Sequence, residues 1–498
     1  MTTCSRAGPV RASTRTDGAE ADLPRFLRRT VWLWPVLSTL AVTLVQADRA
    51  QLWRDELATW SAASRPLGDL LRMAGNIDGV SAPYYLLMHG WIQLFGDSVL
   101  AMRLPTILAM AGAAGLIAVL GERLFSARTG LIAGLLFAVV PSTSRYGQEA
   151  RPYAFATFFA VLATLLLVGA VRRPSWPRWA SYALAVLGLG LAHLVAVVLI
   201  AGHAAAVLLA WRAAGDRRLP LRWLVTVLPV GLALAPLALL GRSQQDQQLD
   251  WVDKPGVLEL PGLPGAVTQA GVVGGLLVGL AAVALVSRGR WGVALGLCAV
   301  LPVVLLFVGG LVTPLWVPRY LVFTVPFVCL LAADVLATIR LPWALAIVAV
   351  TGLLGTPEQA SLRRTHEWPR SAPIDYRGAA RIIAHHQQPG DGIVYSPRTG
   401  WKFLDIATAY HLGTDRPRDV LASRDQLDRA DLWATECDQP ARCLASVERV
   451  WLLVIGEKTD PLRGLPEPKA NALRTEFPAS RVWTVPGLTV ALLTRPVS

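Results

Sequence analysis

The chain has 498 residues, 54% of them hydrophobic and only 16% charged, with a mean hydropathy of +0.46. This excludes an average soluble domain and indicates a polytopic membrane protein. Its 47 Lys and Arg against 34 Asp and Glu leave a charge of +13, yet no basic run is interleaved with aromatics, which argues against a nucleic-acid surface; the excess reads as topology.

A helix needs about 20 apolar residues, each rising about 1.5 Å, to cross the hydrocarbon. Eleven candidate segments run from Val31 to about Gly355: 31–47, 99–120, 129–141, 152–171, two within 180–211, 222–241, 264–286, 291–312, 320–339 and a short one at 342–355. A signal peptide is the alternative for residues 1–47, but the tail before the apolar run is long and no convincing small-residue cleavage site follows Val45, Gln46 and Ala47, so the first segment reads as an uncleaved helix. Arg collects in the tail 1–30 (Arg6, Arg11, Arg15, Arg25, Arg28, Arg29) and in alternate loops at Arg123 and Arg128, Arg172, Arg173 and Arg178, Arg212 to Arg222, and Arg288 and Arg290. Short cytoplasmic loops hold the positive excess, so these face the cytoplasm, as does the N-terminus. Loops 48–98, 142–151, 242–262 and 313–319 then face outward, and the segment after the eleventh crossing is extracytoplasmic.

Loop 48–98 carries the carboxylate pair Asp55 and Glu56. Trp53, Leu57 and Trp60 stand at i, i+4 and i+7, one face of a helix, and Asp55 lies about 200° from Trp53. Such a helix is expected to rest its Trp face on the membrane interface and turn Asp55 toward water or a cavity, with Glu56 at the edge bracing neighbours. Two solvated acids flanking a span fit the same spacing. His89, in a second interfacial helix of this loop, can approach the site.

Ser144, Arg145, Tyr146, Gly147, Gln148, Glu149, Ala150, Arg151, Pro152 and Tyr153 stand at the outer end of the fourth segment, more polar than anchoring requires, although Arg151 and Tyr153 also fit a snorkelling and aromatic-belt pair. Pro318, Arg319 and Tyr320 open a later segment in the same way. Loop 242–262, rich in Gln, Asp and Trp251, either closes over the site or is a solvated connection, and His193 and His203 read as packing residues.

From residue 356 to 498 the composition becomes ordinary, with a helix at 375–385, strands at 392–396, 450–455, 481–485 and 488–493 and a helix at 467–476: a small α/β domain. An extracytoplasmic location permits a disulfide between Cys437 and Cys443, which two free thiols fit equally.

Taken together, Arg54-Asp55-Glu56, then Gln148-Glu149-Ala150-Arg151-Pro152-Tyr153, then Pro318-Arg319-Tyr320-Leu321, in a chain of this topology, resemble the GT-C glycosyltransferases, in particular the family 39-like group of protein O-mannosyltransferases and lipid A aminoarabinose transferases. The likeness covers about residues 1–355, and the Ala- and Arg-rich, Lys-poor usage fits a bacterial, actinobacterial envelope protein. The resemblance implies a transmembrane catalytic domain at 31–355 that moves one sugar, mannose-like or a pentose, from a polyprenyl-phosphate donor to a glycan, lipid or protein acceptor on the outer face, with inversion. It implies Asp55 as general base, Glu56, Tyr146, Glu149, Tyr153 and His89 in support, and Arg151, Arg319 and Tyr320 on the donor phosphate. No Asp-x-Asp stands in an outward loop, and no metal or other cofactor is expected. The competing classes are a transporter or flippase of lipid-linked sugar, which should place ionisable residues at the midplane and show repeats, and a non-catalytic assembly partner that keeps the fold.

Overall fold

The computed structural model describes residues 24–287 and 289–496. The tail residues Arg6, Arg11 and Arg15, and Arg288, lie outside the described residues. All eleven predicted segments are helical: α1 (Leu33–Leu44), then, after the first long loop, α5 (Val99–Leu124), α6 (Ala127–Val139), α8 (Tyr153–Arg172), α9 (Trp176–Ala192), α10 (Leu199–Ala214), α11 (Arg218–Gln248), α13 (Gly271–Ser287), α14 (Arg290–Gly310), α15 (Val325–Leu336) and α16 (Leu341–Leu354). Among the described residues six helices are long and apolar enough to cross a membrane, and nine spans result when each of three bent pairs counts as one. α1 and α9 stand at the first and fifth predicted segments.

The bends have local causes. α6 turns by 65° into α7 (Pro141–Gly147), where Pro141 cannot extend the hydrogen-bond ladder. The stretch Val257–Thr268, which ends in α12 (Leu263–Thr268), meets α13 at 102°, with Gln269 in the left-handed region at φ 65° between them. α11 runs past its predicted end at 241, because Gln244 finds partners in the long loop: its Oε1 accepts from Gly79 N at 2.8 Å and its Nε2 donates to Ala74 O at 3.0 Å.

α5 packs centrally against α1, α6 and α8, with Met110, Ile117, Phe137, Phe323 and Phe327 buried in the shared core. Gly130 lets α6 close on α5: a Cβ there would lie 2.2 Å from Ala118 O. Three of the Arg-rich loops meet at one end of the bundle, where Arg172 Nη1 donates to Arg123 O at 2.8 Å and the Arg172 guanidinium lies over the Trp291 ring, beside Arg290, at 5.5 Å. The other four loops meet at the opposite end, through Gly79 with Gln244, Ala150 with Glu56, and Trp316 with Glu259.

At that end the long loop folds into α2 (Arg54–Ala63), α3 (Leu67–Asn76) and α4 (Ala82–Phe95). The C-terminal domain, joined through α17 (Thr356–Leu362), holds α18 (Tyr376–His386), β1 (Gly392–Ser396), α19 (Leu404–Leu412), β2 (Arg418–Asp419), the hairpin β3 (Ala422–Arg424) and β4 (Thr435–Glu436), α20 (Pro440–Leu444), β5 (Arg449–Ile455), α21 (Glu467–Glu476), β6 (Ala479–Val485) and β7 (Leu488–Thr494). Its five-stranded sheet has the order β2-β1-β5-β7-β6, with β1 parallel to β2 and β5, and β7 antiparallel to β5 and β6. β1 is buried throughout, as a central parallel strand of Gly, Ile, Val, Tyr and Ser covered on both faces should be. Cys437 and Cys443 form a disulfide.

The C-terminal domain sits on the long loop, and this corrects the expected place of α2. Trp53 and Leu57 are buried at 2% and 0% exposure, and Trp60 packs edge-on against Tyr410 at 5.2 Å while its Nε1 donates to Asp97 at 2.8 Å. The Trp face thus rests on protein rather than on a membrane interface. An apolar face needs burial, and helical phase alone does not say whether lipid or a second domain supplies it. Polar contacts fix the docking: Arg65 Nη2 donates to Asp431 O at 2.7 Å, Gln51 Oε1 accepts from Arg377 N at 2.8 Å, and Tyr410 Oη donates to Asp97 O at 3.0 Å.

Candidate active site

α2 starts at Arg54, immediately after the extended Trp53, and Glu56 at its third position reaches back to Trp53 N at 3.4 Å. Its main partner is Arg103, in the second turn of α5: Oε1 accepts from Arg103 Nε at 2.8 Å and Oε2 from Nη2 at 2.6 Å. Oε1 also accepts from Ala150 N at 2.9 Å. Arg103 is completed by the carbonyls of Ala47 at 2.7 Å, Ala50 at 2.8 Å and Gln51 at 3.1 Å. Burial alone would raise the Glu56 pKa, but the guanidinium of Arg103 holds it well below the usual carboxylate range. Glu56 is thereby locked as an anion that ties the start of α2 to α5 and to the segment before α8.

That segment is pinned on both sides. Gln148 Nε2 donates to Thr43 O at 2.7 Å and Val45 O at 3.0 Å, Thr106 Oγ1 donates to Gly147 O at 2.8 Å, and Thr59 Oγ1 donates to Ala150 O at 3.0 Å. Arg151 and Tyr153 therefore project from a backbone with little freedom.

Asp55, one residue from the locked Glu56, keeps 18% of its side chain exposed and lies 3.6 Å from Arg319 Nη2 and 4.0 Å from Arg54 Nε. Arg319 enters on the short helix Pro318–Thr324, donates from Nε to Tyr153 Oη at 3.0 Å, and lays its guanidinium over Trp251 at 5.1 Å. Tyr153 lies 5.3 Å from the Tyr146 ring and stacks at 6.3 Å on Tyr320, while His193 lies 4.8 Å from Tyr320. Arg151 Nη1 donates to Tyr85 Oη at 3.2 Å, and Tyr85 in turn donates to Asp78 Oδ2. Asp78 also accepts from Ser81 at 2.8 Å and from Gln248 at 3.1 Å. The loop after α11 is thus part of the site wall, through Gln248 and Trp251.

Glu149 is fully buried; Arg145 Nη2 lies 3.5 Å away, and neither carboxylate oxygen has a hydrogen-bond partner among the described residues. Burial pushes its pKa up from 4.5 to about 7, against the pull of Arg145 and with the push of the Asp55 and Glu56 carboxylates. His366, from the linker after α17, places Nδ1 3.7 Å from Glu56 Oε2; burial, with Arg145 and Arg103 nearby, pushes its pKa down to about 3, so the ring is neutral near pH 7. Arg145 Nη2 donates to His366 O at 2.8 Å and its guanidinium covers the Trp53 ring at 4.7 Å.

The structure therefore brings together Asp55, Glu56, Tyr146, Glu149, Arg151, Tyr153, Arg319 and Tyr320. His89 is not among them: its Nδ1 bonds Ala63 O at 2.9 Å, at the last residue of α2, whereas Asp55 stands in the first turn of that helix. His193, read from sequence as packing, joins the aromatic cluster, whereas His203 is a buried packing residue bonded to Thr164 at 3.0 Å and Tyr182 at 3.1 Å. Sequence reasoning missed Arg103, Asp78, His366 and its neighbour Glu367, which is buried with neither carboxylate oxygen hydrogen-bonded among the described residues. Among the described residues no group of three or more His, Cys, Asp and Glu is close enough to hold a metal ion.

Three comparisons bear on this arrangement. The sequence profile of the family described as dolichyl-phosphate-mannose-protein mannosyltransferase matches residues 82–239, a stretch with Glu149, Arg151 and Tyr153 but without Asp55 or Arg319. No curated protein matches the chain. ArnT from Cupriavidus metallidurans in its apo state superposes with a TM-score of 0.60 at 13% identity, covering 92% of this chain and 97% of that one. The same protein bound to undecaprenyl phosphate gives 0.59 at 14% identity over 93% and 98%. The apo oligosaccharyltransferase of Archaeoglobus fulgidus gives 0.50 at 10% identity over 86% and 69%.

The chain is a multi-pass membrane protein with a sheet-containing C-terminal domain. Its fold is that of the GT-C glycosyltransferase superfamily.

Proposed function

We propose that the protein is an inverting glycosyltransferase that moves a single sugar, mannose-like or a pentose, from a polyprenyl-phosphate donor to an acceptor hydroxyl of a glycan, lipid or protein at the outer face of the membrane. One observation carries the reading: a partly buried but solvent-reachable carboxylate, Asp55, is paired at 3.6 Å with a guanidinium, Arg319, where helix ends meet a folded loop. The likeness in fold to a protein solved with undecaprenyl phosphate supports the donor class. In this reading the N-terminus is cytoplasmic and the C-terminal domain extracytoplasmic; the gathering of three of the Arg-rich loops at the other end of the bundle and the disulfide support that orientation.

Asp55 takes the acceptor proton as the acceptor oxygen attacks the anomeric carbon. The bond from that carbon to the phosphate oxygen breaks on the opposite face, and its electron pair leaves with the lipid phosphate. That charge needs cations rather than a proton, which Arg319 and Arg151 supply, with Tyr320 at the rim. Before the donor arrives, Arg319 rests against Asp55; an incoming phosphate competes for the guanidinium and frees the carboxylate for the acceptor. Tyr146, Glu149 and Tyr153 line the sugar side. Glu56 acts only by fixing α2. The reaction so described uses no metal or other cofactor.

The test is to incubate purified protein with a panel of polyprenyl-phosphate sugars and follow donor consumption in the natural chain and in Asp55→Asn. Consumption of one donor that the substitution abolishes, with folding intact, supports the reading. Turnover retained by Asp55→Asn would sink the base assignment, and no consumption of any donor would sink the donor class.

A further inference from the structure

The C-terminal domain holds a cavity of about 600 Å³, apart from the candidate active site. Its position follows from the sheet. β1 lies between β2 and β5, all three parallel, and the chain leaves β1 toward β2 on one side before returning to β5 on the other. In open α/β sheets this reversal of strand order opens a crevice at the carboxyl ends of the two flanking strands, where ligands bind. The cavity lies there, with Ser396 closing β1 and Ile455 closing β5 in its wall. Its volume suits a small polar molecule.

Charge indicates which molecule. Arg398, Arg429, Lys458 and Lys469 line the cavity, against one lining carboxylate, Glu436. Arg398 and Lys469 are held rigidly, with 4% and 5% of their side chains exposed. Both converge on Glu436 Oε1, Arg398 Nε at 3.2 Å and Lys469 Nζ at 2.7 Å, and Lys469 also donates to Tyr395 O at 3.2 Å. Arg398 is oriented from outside the cavity by Asp419 at 2.5 Å and Asp405 at 3.4 Å, and Arg429 by Asp431 at 2.8 Å; none of these three carboxylates lines it. Buried cations are costly unless paired, so this is a framework that fixes positive groups and keeps most of their counter-charges off the cavity surface. The half-buried Arg429 and Lys458 offer donors that an entering ligand can meet.

We infer that this crevice binds a phosphorylated small molecule of about the size of a sugar phosphate, through Arg429 and Lys458 against the fixed pair Arg398 and Lys469. The inference does not depend on the transferase reading.

The experiment uses the full chain in detergent, titrated calorimetrically with glucose 1-phosphate, glucose and glucuronate. To silence phosphate binding in the candidate active site, it is run in the Arg151→Met/Arg319→Met background as well as in the natural chain. The expected result is saturable binding of glucose 1-phosphate in both, weakened at least tenfold by Arg429→Met with Lys458→Met. The thermal midpoint of that double variant, whose changed residues lie at the rim, should stay with its parent. Binding absent from the Arg151→Met/Arg319→Met background, binding that survives the rim substitutions, equal binding of glucose, tighter binding of glucuronate, or no saturable binding would each overturn the assignment.

Discussion

Glu56 and Arg103 meet through two charge-assisted hydrogen bonds of 2.6 and 2.8 Å, with 0% and 1% of their side chains exposed. Removing one partner of such a pair leaves the other charge buried and typically costs about 3–5 kcal/mol. Glu56→Gln is therefore expected to lower the thermal midpoint of the purified protein by several degrees or abolish its accumulation, and Arg103→Met to do the same. Asp55→Asn, at a partly exposed and loosely paired position, should leave the midpoint within a degree or two while removing activity. Equal midpoints for Glu56→Gln and Asp55→Asn would show that the pair is not a structural lock.

Glu149 gives a pH signature. Its pKa rises on folding from 4.5 to about 7, so the folded state holds a proton that the unfolded chain releases. Below the unfolded value both states are protonated and there is no penalty; as pH rises toward 7 the folded state loses stability relative to the unfolded one, and above it the loss is complete. Glu149→Gln, which cannot ionise, is expected to match the natural chain near pH 4.5 and to exceed it increasingly up to about pH 8, by up to a few kcal/mol. Thermal midpoints of both proteins across that range check the sign; a difference that shrinks as pH rises would contradict it.

His89 offers a prediction of no effect. Its ring bonds Ala63 O at the far end of α2 from Asp55. His89→Ala should leave kcat/KM for any donor within about twofold and cost at most about 1 kcal/mol, the worth of one ordinary hydrogen bond. Donor-consumption kinetics beside a melting curve separate the two.

These cases mark how far the sequence could be read. Asp55, Arg151 and Arg319 were visible because each is a charge next to an apolar span, a costly placement that asks for a reason. Arg103 carried the same signal but stands where a snorkelling residue would, and its partner Glu56 is 47 positions away. His366 and Glu367 were hidden because nothing local says that a linker after the last helix folds back over α2. In the C-terminal domain the strands were legible from short apolar runs between turns, and three of the four, β1, β5 and β7, are largely buried. Their order in the sheet was not, because pairing is long-range, and with it went the crevice between β1 and β5. The membrane face assigned to α2 failed for a related reason: Trp is favoured in interfaces and in domain contacts alike, and only the position of Tyr410 and Arg145 decides between them.

The hydroxyl of Tyr85 stands between Asp78 and Arg151, donating to the first and accepting from the second at 3.2 Å. Asp78 is itself anchored by Ser81 and by Gln248 at the end of α11, so the direction in which Arg151 points depends on a relay that reaches the loop bearing Trp251. Tyr85→Phe keeps the ring in the core and removes only the bridge. If Arg151 holds the donor phosphate in ground and transition states alike, losing its aim should raise KM for the donor with little change in kcat. If it acts mainly on the leaving charge, kcat should fall instead. The relay predicts a drop in kcat/KM of about tenfold either way, equivalent to one well-placed hydrogen bond of about 1.4 kcal/mol. Asp78→Asn, which weakens the same bridge from its other end, should reproduce the direction of the effect. Steady-state kinetics on the two variants and on their combination decide whether they act through one path: a double variant no worse than the poorer single one supports the relay, and independent losses that multiply contradict it.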